Sequence, residues 1–115
     1  MRLAAIILGI AVLLSSCGSK PPEYLSEAGK KGWTAYRRHC TICHNPNPFL
    51  EGTTSPGGPP INASSEELIR LRVTKLAYPR DYKPKVDTEL MTVQPQAVPD
   101  IPDIYAYLKE VRKAQ

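Results

Sequence analysis

Apolar and polar positions divide the chain into an apolar head, a polar link and three segments with helical spacing. No charge interrupts Leu3 to Leu14. Gly18-Ser19-Lys20-Pro21-Pro22-Glu23 has no apolar period and reads as part of a flexible tether. From Ser26 to about Cys40 the pattern predicts a helix. Ser26 suits its cap, while Gly29 and Gly32 lower its propensity. Gly32 makes sense there only as a close-packing site. A second helix starts at Ser64-Ser65-Glu66-Glu67, a capping-box pattern that pairs Ser64 with Glu67. Leu68, Ile69, Val73 and Leu76 supply its apolar side, and Pro79 ends it. A third starts near Asp100–Asp103, where Asp and Pro suit a first turn. Ile104, Tyr107, Leu108 and Val111 follow at i, i+3, i+4 and i+7 and read as a core-facing stripe.

Composition narrows the picture. The 115 residues hold one small domain with a thin core. Twelve prolines forbid long regular elements through much of the chain. Pro84, Pro95 and Pro99 break the span between the second and third helices, which is expected to be an ordered loop. The net charge of +4 includes Arg2, which belongs to a segment expected to be removed. The remaining basic residues are scattered among acids, which argues against nucleic acid as a partner.

The head carries an address. Met1-Arg2 gives a positive start, and the apolar run is too short to span a bilayer but suits a signal peptide. Leu14-Ser15-Ser16-Cys17 follows and resembles a bacterial lipobox. That resemblance implies a signal peptide over residues 1–16, a lipidated Cys17 and a flexible tether over 17–25. A domain over 26–115 would then be held on the extracytoplasmic side of a membrane. In a Gram-negative host this is the periplasmic side, and Gly18 after the cysteine resembles outer-membrane sorting.

The chemistry is concentrated in Cys40-Thr41-Ile42-Cys43-His44. This C-x-x-C-H stretch holds two of the three cysteines and one of the two histidines. The pattern reads as covalent attachment of a c-type haem. On a helix, positions i, i+3 and i+4 share one face. Two thiols there suit the two haem vinyl groups, and the adjoining His44 suits the proximal iron position. The alternatives fit less well. A thioredoxin-like pair needs a βαβ context, and no strand pattern precedes Cys40. A zinc site needs four ligands, and the chain has no second ligand pair. A Cys40–Cys43 disulfide leaves His44 unexplained.

The other iron face needs a ligand. His39 adjoins Cys40 and is tied to the proximal side. Met1 leaves with the signal peptide, so Met91 is the sulfur or imidazole candidate that remains. The Pro79–Pro102 loop is expected to deliver it to the distal face. A Met ligand raises the potential and favours electron transfer.

From about residue 26 to 113 the chain resembles a class I cytochrome c, the small mono-haem family with His/Met ligation, in a lipoprotein-anchored bacterial form. Gly32 and Tyr36 stand eight and four residues before Cys40, where the family has a glycine and an aromatic that meet the C-terminal helix. Ile104-Tyr105-Ala106-Tyr107-Leu108-Lys109 is similar to the family's L-x-x-Y-L ending. Gly58-Pro59-Pro60-Ile61 is similar to its Gly-Pro-x-Leu, which implies that the Pro59 carbonyl accepts the His44 Nδ1–H. Thr92 follows Met91 where the family often has Pro.

These readings imply an all-α fold of about three helices and Pro-rich loops wrapped around one covalent haem. The implied role is electron carriage, without enzymatic activity, between extracytoplasmic respiratory or photosynthetic redox partners. Arg80, Lys83 and Lys85 are candidates for a basic rim that steers an acidic partner. A fixed cytochrome subunit of an integral membrane oxidoreductase fits the same anchor. A haem sensor or small peroxidase requires instead a labile sixth site.

Overall fold

The computed structural model describes residues 19–55, 57–84 and 91–115. The stretch expected to be a signal peptide, the lipobox-like Leu14–Cys17, and Lys85 lie outside the described residues. The architecture is all-α: helix α1 spans Glu27–His39, helix α2 spans Glu66–Lys75, and helix α3 spans Ile101–Lys113. A 3-10 helix, Pro95–Asp100, runs directly into α3. Among the described residues there is no strand, and no helix is long and apolar enough to cross a membrane.

The end of α1 carries the C-x-x-C-H stretch, so its placement matters most. Ser26 Oγ accepts from Gly29 N at 3.0 Å, which satisfies one of the free first-turn donors. Glu27 stands in the first turn and Arg37, Arg38 and His39 in the last, the signs that favour the helix dipole. Glu110 of α3 accepts from both Ser26 N (2.6 Å) and Ser26 Oγ (2.9 Å), tying the start of α1 to α3. Further along, the two helices cross at Gly32. A Cβ there would overlap the Asp103 carbonyl oxygen and stand 2.5 Å from its carbon and 2.8 Å from Tyr107 Cβ. One turn on, the Tyr36 ring meets Tyr107 with centroids 5.5 Å apart and planes tilted by 43°. Aromatic pairs prefer such offset geometry.

The core is the α1–α3 contact. Leu25, Ala35 and Tyr36 bury against Ile104, Tyr107, Leu108 and Val111, so the apolar stripe of α3 faces inward along its whole length. Leu25 differs from the tether expected through residue 25. It is 4% exposed, and its N–H donates to the Pro22 carbonyl at 3.3 Å. An apolar residue just before the cap gains by covering the core, so packing begins upstream of the helix.

Helix α2 departs from expectation at both ends. Its cap is Ser65, whose Oγ accepts from Leu68 N at 3.1 Å. Ser64 belongs to the preceding turn through its N–H to the Ile61 carbonyl. The helix also stops before Pro79. Leu76 adopts a left-handed conformation at φ 55, and Ala77 N donates back to Leu71 O at 3.2 Å. Arg72 Nη1 donates to the Leu76 carbonyl at 2.6 Å. Leu76 thus leaves the apolar side, while Leu68 and Val73 stay buried. The 3-10 helix was not expected within the Pro-rich span. Its Ala97 and the following Ile101 are almost fully buried.

Candidate functional site

The C-x-x-C-H residues form one further turn beyond α1. Cys40 caps the helix, its N–H donating to the Tyr36 carbonyl. Cys43 N and His44 N both donate to Cys40 O, at 3.3 and 2.9 Å. The second bond is an α-type i to i+4 link, so Cys40 and His44 keep the one-face relation. Thr41 Oγ1 donates to Arg37 O at 2.6 Å and satisfies a terminal carbonyl. The cysteines are both free, Cys40 half-buried and Cys43 exposed. Burial pushes the Cys40 thiol up to about 12. Nucleophilic cysteines of redox pairs are shifted the other way.

His44 is held from behind. Its Nδ1 lies 3.0 Å from the carbonyl oxygen of Pro59, the residue for which the resemblance implies this contact. A carbonyl only accepts, so Nδ1 carries the proton and Nε2 keeps its lone pair. Burial lowers the His44 pKa, the Pro59 hydrogen bond opposes that shift, and the Arg72 charge adds to it. The result is a neutral, oriented imidazole with a free Nε2, the form that binds metals. These donors fit a haem.

The loop from Asn45 to Ile61 builds the wall behind this ring. Asn45 Oδ1 accepts from Asn47 N at 2.8 Å, and Asn47 Oδ1 accepts from Phe49 N at 3.0 Å. These two side-chain turns reverse the chain. Pro48 O then takes the N–H groups of Ile61 and Asn62. Gly58 N donates to Cys43 O at 2.7 Å, bringing the Gly58 backbone against the imidazole. A Cβ at Gly58 would stand 2.5 Å from His44 Nδ1 and 2.6 Å from Cε1. The Gly58→Ala variant is therefore expected to displace the ring from Pro59. The displacement should appear as a shift of the His44 ring signals in a nuclear magnetic resonance spectrum, and unaltered signals would contradict the packing.

Met91 is half-buried. Residues 85–90 before it lie outside the described residues, and three residues after it Gln94 N donates to Val73 O at 2.7 Å. That bond holds the chain beyond Met91 against α2. Arg80 and Lys83 are exposed.

Two features of the site have no periodic signal in the sequence. Arg72 of α2 stands near enough to His44 to act on its charge, with its guanidinium 4.2 Å over the Tyr78 ring. His39 Nε2 lies 2.9 Å from Asp100 Oδ2, and the His39 side chain is only 7% exposed. Arg38 Nη1 approaches the same carboxylate oxygen at 3.8 Å. The pair joins the end of α1 to the start of α3, and so supports the turn that carries the cysteines. Asp100→Ala leaves a buried ring nitrogen without its partner. A loss of about 1–3 kcal/mol is expected, read from the denaturant midpoint, and an unchanged midpoint would contradict that role.

Among the described residues no three His, Cys, Asp or Glu side chains converge as they would to hold a bare metal ion. Comparison with protein-family models, with curated proteins and with solved structures gave no match.

Proposed function

We propose that the chain is a lipid-anchored electron-transfer cytochrome of c type, carrying one covalent haem. The observation that carries this reading is the turn of two unpaired cysteines ending in an imidazole whose Nδ1 is bonded to Pro59 and whose Nε2 is free. Cys40 and Cys43 would hold the group through thioethers, and His44 and Met91 would bind its iron. When bound, the haem supplies a one-electron couple. The protein residues do the rest. Pro59 fixes the ring of His44 and increases its basicity. The Asn45–Ile61 loop walls off its back. Arg72 places a positive charge beside the site, which favours the reduced state. If His44 and Met91 both bind the iron, redox partners outside the cytoplasm would be met at the protein surface.

Mass spectrometry of the exported protein tests the attachment. The expected result is a chain carrying one haem that acid and organic solvent do not extract, with the bond lost in the Cys40→Ser/Cys43→Ser variant. A bare chain after export in a host that matures c-type cytochromes would defeat the proposal.

A further inference from the structure

We propose that Tyr36 is a positioning residue for the His44 imidazole: its hydroxyl pins the Asn45 carbonyl and so fixes where the following loop presents the Pro59 carbonyl to Nδ1. The inference rests on the reading of His44 as an iron ligand and adds what sets the orientation of its ring.

Tyr36 carries a hydroxyl into the core. The residue is fully buried, and its packing on Tyr107 needs only the ring. Phenylalanine would serve that contact without bringing a polar atom inside, where an unbonded hydroxyl is costly. The Tyr36 hydroxyl donates to the carbonyl oxygen of Asn45, nine residues on. Burial pushes the Tyr36 pKa well up, and Cys40 and Tyr107 add to the shift. The hydroxyl therefore keeps its proton and remains a donor.

Asn45 stands where that bond has the most leverage. It directly follows His44 and precedes Pro46, so it opens the loop that returns behind the ring. Its side chain carries the constraint onward. Nδ2 donates to the Glu51 carbonyl at 2.9 Å, and Oδ1 accepts from Asn47 N at 2.8 Å. Gly52, next to Glu51, donates from its N–H to the Gly58 carbonyl at 2.8 Å. Gly58 N is in turn bonded to Cys43 O at 2.7 Å. Pro59 follows, its carbonyl oxygen 3.0 Å from His44 Nδ1. A run of hydrogen bonds thus leads from the Tyr36 hydroxyl on α1 through Asn45, Glu51–Gly52 and Gly58 to Pro59. Bonds within the loop set its shape, and the Tyr36 bond sets its position against the helix that carries the cysteines. Loss of the hydroxyl frees the start of the loop and loosens the contact at Nδ1. Members of one such network act on each other rather than independently. A carbonyl at Nδ1 raises the basicity of a ligating imidazole, so the position that Tyr36 sets bears on the iron.

The test uses the exported, reduced holoprotein, isotopically labelled for nuclear magnetic resonance, and follows hydrogen exchange of the His44 Nδ1–H. Tyr36→Phe keeps the ring and removes the bond. It is expected to speed this exchange about fivefold, the factor that one hydrogen bond of ordinary net strength corresponds to. It should also raise the midpoint potential, because a less basic imidazole stabilises oxidised iron less. Tyr107→Phe takes a hydroxyl from the facing ring and should change neither quantity. Asn45→Ala releases Asn47 and Glu51 and should act in the same sense as Tyr36→Phe. The double variant should then exceed the larger single effect by little. Three results would overturn the inference and, with haem bound, leave the electron-carrier reading standing: exchange or potential unchanged in Tyr36→Phe, an equal change in Tyr107→Phe, or single effects that simply multiply in the double variant. An exported chain without haem would overturn that reading and the inference with it.

Discussion

Gly32→Ala is expected to destabilise the protein by about 3 kcal/mol, against the usual effect of such a change. In a helix interior, alanine is favoured over glycine by about 1 kcal/mol. At Gly32 the added methyl group overlaps backbone, because the Asp103 carbonyl of α3 lies where the Cβ would be. A backbone carbonyl in a helix cannot swing aside, so the two helices must separate. Tyr36 and Tyr107, packed one turn further on, then lose their contact, and the turn bearing the cysteines moves with α1. Gly29 provides the internal control. Its Cβ would meet the Glu110 carboxylate, the end of a side chain that can retreat. Gly29→Ala should therefore cost far less, limited to weakening the Ser26–Glu110 bonds. Guanidinium unfolding followed by far-ultraviolet circular dichroism separates the two. Equal stability of Gly32→Ala and the parent would refute the close crossing of α1 and α3.

Met91→Ala is expected to change function more than any other single substitution on the distal side. If Met91 is the sixth ligand, its removal opens that position. The reduced variant should then bind carbon monoxide. Its midpoint potential should fall by about 0.1 V or more, within the ~0.8 V range that axial ligands command. Folding should suffer less, because Met91 is only half-buried and the chain after it is held by Gln94 on Val73. Voltammetry and an optical titration with carbon monoxide measure both effects. A variant with the parent's potential and no carbon monoxide binding would exclude Met91 as ligand.

Much of this was legible in the sequence where one strong local rule applied. The stripe of Ile104, Tyr107, Leu108 and Val111 marks α3 because nothing interrupts its period, and all four are buried. Ser26 marks the start of α1 because it stands directly before that pattern, whereas Ser19 lies back in the Pro-containing link. The start of α2 is ambiguous because Ser64 and Ser65 both precede the acids. The choice depends on a turn bond from Ser64 to Ile61 that no local pattern shows. Its end depends on Leu76 entering a left-handed conformation, unusual for that residue type. Within the site, the cysteines and His44 announce themselves by spacing. Arg72, Asp100 and Gly58 reach the site only through tertiary structure, Asp100 from 61 positions beyond His39. The Pro/Gly-rich stretch from Asn45 to Gly58 carries no assignable motif, so its return behind the imidazole was not legible.

The central claim is that one covalent haem is held with both axial positions filled by this chain. The most direct measurement is the optical spectrum of the exported, reduced protein before and after carbon monoxide. The account predicts a low-spin c-type spectrum that carbon monoxide leaves unchanged. A marked shift would reveal an open or labile sixth position and would contradict it.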